Sequence, residues 1–122
     1  MGKRILLVED NEIHRLFTQD FLESRGYQVL SLCDGINFLE TVTEFQPDLL
    51  LLDLKLPQVD GFTLLQELQR SQWHALPVVV VTAYAFHREK QRALSMGVRS
   101  YLTKPIRLEA MAQAIEAELS LN

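Results

Sequence analysis

The sequence predicts an α/β protein built on a doubly wound, five-stranded parallel sheet in the order 2-1-3-4-5, with five helices. Two observations predict it. Five short apolar segments alternate with stretches of helical periodicity, and successive βα units with right-handed crossovers wind into an open sheet. Runs such as LLLL (49–52) and VVVV (78–81) do not alternate with polar residues. A strand apolar on both faces belongs in a parallel sheet covered by helices on each side.

The strands are expected at 4–9 (RILLVE), 27–32 (YQVLSL), 48–53 (DLLLLD), 77–82 (PVVVVT) and 99–103 (RSYLT). In the first helix Ile13, Leu16, Phe17 and Phe21 fall on one face, and Gly26 stands where a left-handed terminator is wanted. Asp34 is placed as the N-cap of a second helix carrying Ile36, Leu39 and Val42. A third holds Leu64, Leu65 and Leu68. The fourth, about 86–96, is largely polar with a thin stripe of Phe86, Ala93 and Leu94, and ends at Gly97. The last carries Leu108, Met111, Ala112, Ile115 and Leu119 in register. No linker, repeat or low-complexity stretch interrupts the series.

At 122 residues the chain is expected to be one domain, residues 1–122, large enough to bury a core without disulfide or metal staples. Apolar residues make up 48% and charged residues 23%, as in ordinary soluble proteins. The net charge of −4, with no basic stripe, argues against direct nucleic-acid binding, which needs Lys and Arg to neutralise phosphates. The single cysteine, Cys33, has no internal disulfide partner and no Cys/His company for zinc, which suits a reducing compartment. After the basic pair Lys3–Arg4 only Ile5 to Val8 are apolar, too few for a secretory signal. Leu6 stands where a myristoylation signal after the Met-Gly opening needs Ser or Thr. Nothing approaches the run of about 18 apolar residues of a membrane span. The expected setting is cytoplasmic.

In the order 2-1-3-4-5 the ligand crevice opens at the carboxyl ends of strands 1 and 3. Glu9 and Asp10 end strand 1, Asp53 ends strand 3, Thr82 ends strand 4 and Lys104 follows strand 5, so all converge on one rim. Adjacent strands lie about 4.8 Å apart, and two carboxylates at that range repel by roughly 3–4 kcal/mol at an effective dielectric of 20. Such crowding calls for a raised pKa, a nearby cation or a bound divalent metal. Lys104 supplies one positive charge. A hard cation taking oxygen ligands would supply the rest, with Mg²⁺ the usual choice where phosphate chemistry follows.

At this point the chain resembles the receiver domains of two-component response regulators, of the chemotaxis-receiver kind, along nearly its whole length. The matching pieces are ILLVEDN (5–11), PDLLLLDLKLPQVDGF (47–62), PVVVVTAY (77–84) and YLTKP (101–105). The flavodoxin-like sheet is the fold known for that family. The resemblance implies that Asp53 is the phosphoacceptor and that Glu9 and Asp10 hold Mg²⁺ together with Asp53 and the backbone carbonyl of Lys55. It implies that Lys104 binds a phosphoryl oxygen and that Thr82 bonds another after phosphorylation. Ala83 would leave room for the phosphoryl group, Tyr101 would be the aromatic switch residue, and the Lys104–Pro105 bond would be cis. The donor would be a sensor histidine kinase or a histidine phosphotransfer protein. The output would be a downstream effector or a homodimer, engaged through helix 4, strand 5 and helix 5. The chain would then be a phosphorylated switch that assists its own phosphoryl transfer and dephosphorylation, not an enzyme.

Leu56 and Val59 stand where the family often has methionines, while Lys55 and Tyr84 occupy variable positions beside the site. Tyr84 is expected to obstruct the attacking water and slow phosphoryl loss. Three rival readings compete. A haloacid-dehalogenase-type phosphatase wants a second aspartate two residues after its nucleophile, where this chain has Lys55. A flavin-binding flavodoxin needs a phosphate-cradling loop after strand 1, but Glu9, Asp10, Asn11 and Glu12 would repel phosphate, and no GxGxxG or Walker pattern exists. A constitutive, non-phosphorylated receiver-like binding module stays open. His14, His74 and His87 read as surface residues, Trp73 as a loop anchor, and the cluster His87, Arg88, Lys90 and Arg92 as a solvated face or an interface. With the sequence ending at Asn122, a stand-alone receiver and a receiver cut from a longer protein both remain open.

Overall fold

In the computed structural model, which describes residues 2–120, the strands are β1 (Arg4–Val8), β2 (Gln28–Leu32), β3 (Leu49–Leu52), β4 (Val78–Thr82) and β5 (Ser100–Thr103). They pair in parallel in the order β2-β1-β3-β4-β5. The helices between and after them are α1 (Glu12–Ser24), α2 (Phe38–Phe45), α3 (Gly61–Gln69), α4 (His87–Ser95) and α5 (Leu108–Leu119). Met1 of the Met-Gly opening, and the chain's end at Asn122, lie outside the described residues.

The unbroken apolar runs divide by parity. Leu6, Val8, Leu50, Leu52, Val78 and Val80 join one buried cluster with Phe38 and Val42 of α2, Leu64, Leu65 and Leu68 of α3, and Ala93 of α4. Ile5, Leu7, Leu49, Leu51 and Val79 face the other way, with Leu22 of α1 and Met111, Ile115 and Leu119 of α5. Successive side chains of a strand point to opposite faces, so a two-sided sheet needs apolar residues at every position. The edge strand β2, covered less, carries alternately exposed residues.

Gly26 and Gly97 follow α1 and α4 with φ of 95° and 90°, the left-handed termination their placement predicted. Three local expectations fail. The stripe Ile13, Leu16 and Phe17 does not face the core: these residues are 64%, 51% and 65% exposed, and the α1 residue buried there is Leu22. The α1 residues packed on the core are Leu22 and Phe21, the one member of the expected stripe that reaches it. Asp34 does not cap α2. Its carboxylate accepts from the amide of Ile36 at 2.9 Å in a local turn, and α2 starts later, behind Asn37 in the left-handed conformation with no side-chain cap. In α4 only Ala93 is buried; Phe86 precedes the helix and is 74% exposed. Trp73 packs half-buried against the α2–α4 side as a loop anchor.

Candidate functional site

β1 and β3 stop one residue short of their expected ends at Glu9 and Asp53, while β2, β4 and β5 end where expected, so the acids sit just beyond the sheet. β1 and β3 pair Val8 with Leu52, and the ladder runs on for one more bond, the Asp53 amide donating to the Val8 carbonyl at 3.0 Å. Glu9 and Asp53 are thereby fixed side by side. Both are buried, at 5% and 6% exposure, while Asp10 is exposed. On the far side, β4 and β5 pair Thr82 with Thr103, and the Lys104 amide donates to the Thr82 carbonyl at 2.8 Å. Lys104 is thus aimed across β4 at the acids.

Its ammonium nitrogen lies 2.5 Å from Glu9 Oε1 and 3.0 Å from Asp53 Oδ2. Burial alone would lower the Lys104 pKa, but the hydrogen bonds and charges of Glu9 and Asp53 outweigh it, and the pKa ends above the usual lysine range. The remaining carboxylate oxygens are positioned by backbone. Glu9 Oε2 accepts from the Asn11 amide at 3.0 Å, and Asp53 Oδ1 from the Lys55 amide at 2.9 Å. One oxygen from each of Glu9, Asp10 and Asp53 lies within 4.8 Å of the others. Trans ligands of octahedral Mg²⁺ stand roughly 4 Å apart, and each bonded carboxylate oxygen keeps a second lone pair. These all-oxygen donors therefore fit a hard divalent ion, with one cation already on the opposite side.

Thr82 is fully buried, and its hydroxyl accepts from the Tyr84 amide at 3.3 Å, facing its own loop. Ala83 is exposed and lines the cleft beside Asp53. Tyr84 is half-buried. The Tyr101 hydroxyl donates to the Tyr84 carbonyl at 2.7 Å. Burial first, then the nearby negative charges of Glu89 and Asp53, pushes the Tyr101 phenol pKa up. The Lys104–Pro105 peptide is cis. Lys55 is exposed in the loop after β3. His14, His74 and His87 are exposed, and His14 lines the cleft mouth. Of the basic cluster, Arg92 lies over the Phe62 ring at 4.1 Å, which gives one of its members a packing role.

Three features were missed in the sequence. A cleft of about 470 Å³ opens beside Asp53 between α1 and α5, lined by Phe17, Val81, Ile106, Leu108 and Met111. Phe17 of the outward α1 stripe borders it, and that exposed aromatic was the available signal. Gly61, the first residue of α3, packs so close that an added Cβ would stand 2.6 Å from Leu54 Cα and 3.0 Å from the Asp53 carbonyl oxygen. The Asp60-Gly61 pair in the quoted motif carried that hint. Arg15 donates to the carbonyl of Glu9 at 3.0 Å, and no local pattern announces it.

The acid–lysine cluster thus stands at the carboxyl ends of the central strands of an open parallel α/β sheet, where the ligand crevice of such a sheet opens. Residues 5–116 match the family model of the response regulator receiver domain. The chain belongs to that family and is a receiver domain of two-component signal transduction. It is 32% identical over 120 residues to the polar-differentiation response regulator DivK of Brucella anthropi, covering 98% of each chain. Its structure is similar to the non-phosphorylated HemR receiver domain of Leptospira biflexa, with a TM-score of 0.92, 30% identity, and 99% and 97% of the two chains covered. It is also similar to the receiver domain of the sensor histidine kinase PA1611 of Pseudomonas aeruginosa, which was solved with a magnesium ion in its active site cleft. There the TM-score is 0.89 and the identity 28%, with 98% and 99% of the chains covered. Receiver domains are signalling switches that work with histidine kinases and effectors. Among the described residues no helix is long and apolar enough to cross a membrane.

Proposed function

We propose that residues 1–122 act as one receiver domain that accepts a phosphoryl group on Asp53 and switches a partner-binding surface. One observation carries this reading: a buried carboxylate, Asp53, has a lysine at 3.0 Å on one oxygen and two further acids within metal-sharing distance. The carboxylate oxygen attacks phosphorus in line, the bond from phosphorus to the donor's nitrogen breaks, and the donor histidine leaves as imidazole. Lys104 neutralises charge on the transferring group. Asp10, Asp53 and Glu9, with the Lys55 carbonyl, would hold Mg²⁺, which supplies further charge neutralisation and in-line orientation when bound. Ala83 leaves space for the incoming group. Thr82 then exchanges its bond from the Tyr84 amide for a phosphoryl oxygen, and Tyr101 responds through the same loop.

The donor is a histidine kinase or histidine phosphotransfer protein in the cytoplasm. The apolar cleft continuous with Asp53 supports a protein donor, whose helix face would seat on Phe17 and Ile106. The output surface is that of α4, β5 and α5, toward an effector or a second copy, and the exposed Phe86 supports it. The domain would also assist its own dephosphorylation.

The test is incubation with acetyl phosphate and Mg²⁺, read as a gain of one phosphoryl group in the intact mass. Labelling is expected for the wild type and lost in Asp53→Asn or with chelator. Metal binding without labelling would instead favour a constitutive binding module.

A further inference from the structure

We propose that Arg15 is a positioning residue for the metal-binding loop: its guanidinium clamps the backbone of Glu9 and Asp10 so that their carboxylates stay converged on Asp53. The inference rests on the metal site of the preceding reading. Leaving β1, the chain turns between Glu9 and Glu12 to enter α1. The Glu9 amide is still held by the Leu32 carbonyl at 3.0 Å, but the Glu9 carbonyl has left the ladder. Arg15 Nη1 fills that gap, donating to the Glu9 carbonyl at 3.0 Å and reaching the Asp10 carbonyl at 3.5 Å. Arg15 is itself fixed in the first turn of α1, its amide donating to the Asn11 carbonyl at 2.9 Å. A charge-assisted bond to a carbonyl is stronger than a neutral one.

The choice of partner matters. Arg15 sits among Glu9, Asp10 and Glu12, yet among the described residues it forms no ion pair. Its charge goes to carbonyl oxygens and leaves the carboxylates to other uses. Asp10 depends on this most. Its carboxylate is exposed and makes no hydrogen bond among the described residues, while Glu9 and Asp53 repel it. Only its backbone holds it in place. Without the clamp the loop relaxes outward and the third oxygen donor departs.

The opposing effect has the opposite sign. A guanidinium near a cation site also repels the metal, so if Arg15 acted only as a charge, its removal would tighten binding. Mn²⁺ titration followed by water-proton relaxation, in the absence of any phosphodonor, separates the two. Arg15→Met is expected to weaken binding by roughly tenfold, the low end of what losing a group that orients a metal ligand costs. Arg15→Lys, which keeps the charge but not the reach of the planar fork, is expected to fall between Arg15→Met and wild type. In acetyl phosphate labelling the Mg²⁺ concentration for half-maximal rate should rise, while the rate at saturating Mg²⁺ returns to that of wild type. Unchanged or tighter binding in Arg15→Met overturns the proposal, as does a saturating rate that stays low with metal affinity intact. Asp10→Asn serves as the separate check: if it binds Mn²⁺ as wild type does, the metal site itself is wrong and the role of Arg15 goes with it.

Discussion

The Tyr101 hydroxyl of β5 donates to the backbone carbonyl of Tyr84 at 2.7 Å, tying the fifth strand to the loop that follows the fourth. The Tyr84 amide in turn donates to the Thr82 hydroxyl at 3.3 Å. One peptide segment thus reads the state of Thr82 on its donor side and of Tyr101 on its acceptor side. A movement of Thr82 toward the acid cluster would free the Tyr84 amide and shift the carbonyl that Tyr101 holds.

Tyr101→Phe removes that bond to the Tyr84 carbonyl. The expected loss of stability is about 1 kcal/mol, the net worth of an ordinary hydrogen bond, read as a lower urea midpoint. The pH dependence has a definite sign. Both the Tyr101 phenol and the Lys104 ammonium have folded-state pKa values raised above the unfolded ones. Their stabilisation is complete below the unfolded values and is lost as pH rises through the folded ones. Stability should therefore fall on the alkaline side, beginning above pH 10.0 for Tyr101, and the fall should be shallower in Tyr101→Phe. Identical alkaline slopes for the two proteins would refute the assignment.

Tyr84 is half-buried at the rim beside Ala83. Its ring is expected to obstruct water approaching a phosphoryl group on Asp53, while its backbone amide and carbonyl bond Thr82 and Tyr101. Tyr84→Ala deletes the ring and keeps the backbone bonds. It should lose the phosphoryl group faster, by roughly tenfold if the obstruction raises the barrier by about 1.4 kcal/mol. The decay of the labelled mass after donor removal measures it, and a rate no faster than wild type rules out the obstruction.

Gly61→Ala tests how the site is supported from below. The new methyl would meet the backbone of Leu54 at 2.6 Å and the Asp53 carbonyl at 3.0 Å. Neither atom is the end of a flexible side chain, so the peptide after Asp53 must shift. Overpacking of this kind costs about 1–3 kcal/mol. Slower labelling should accompany the lower melting temperature. A destabilised variant that labels at the wild-type rate would show that Asp53 is insulated from α3.

The sheet was legible because its signal is redundant. Each buried strand needs apolar residues on both faces, so the runs at 49–52 and 78–81 could be read without knowing any partner. The convergence of Glu9, Asp53 and Lys104 followed from strand order alone, since register carries each one step past its strand end. What could not be read were choices between two satisfiable options. Ile13, Leu16 and Phe17 have helical spacing whether the stripe faces the core or the outside, and only the tertiary packing decides: all three are exposed, with Phe17 at the cleft. Asp34 could cap a helix or close a turn, and the turn won because it satisfies the Ile36 amide at once. Arg15 was invisible because its partners are backbone carbonyls, which carry no side-chain identity.

Lys104 stands between two buried carboxylates, at 2.5 Å from Glu9 and 3.0 Å from Asp53. Lys104→Met removes the charge and keeps much of the stem's apolar volume. In chelator, Glu9 and Asp53 are then left facing each other without a counter-charge, and removing one partner of a buried ion pair costs about 3 kcal/mol or more. A divalent ion can replace the lost charge, so Mg²⁺ should stabilise this variant more than it stabilises wild type. Paired urea denaturations with and without Mg²⁺ give the comparison. If the deficit of Lys104→Met is the same in both conditions, the lysine contributes packing rather than charge balance, and the metal does not share its carboxylates.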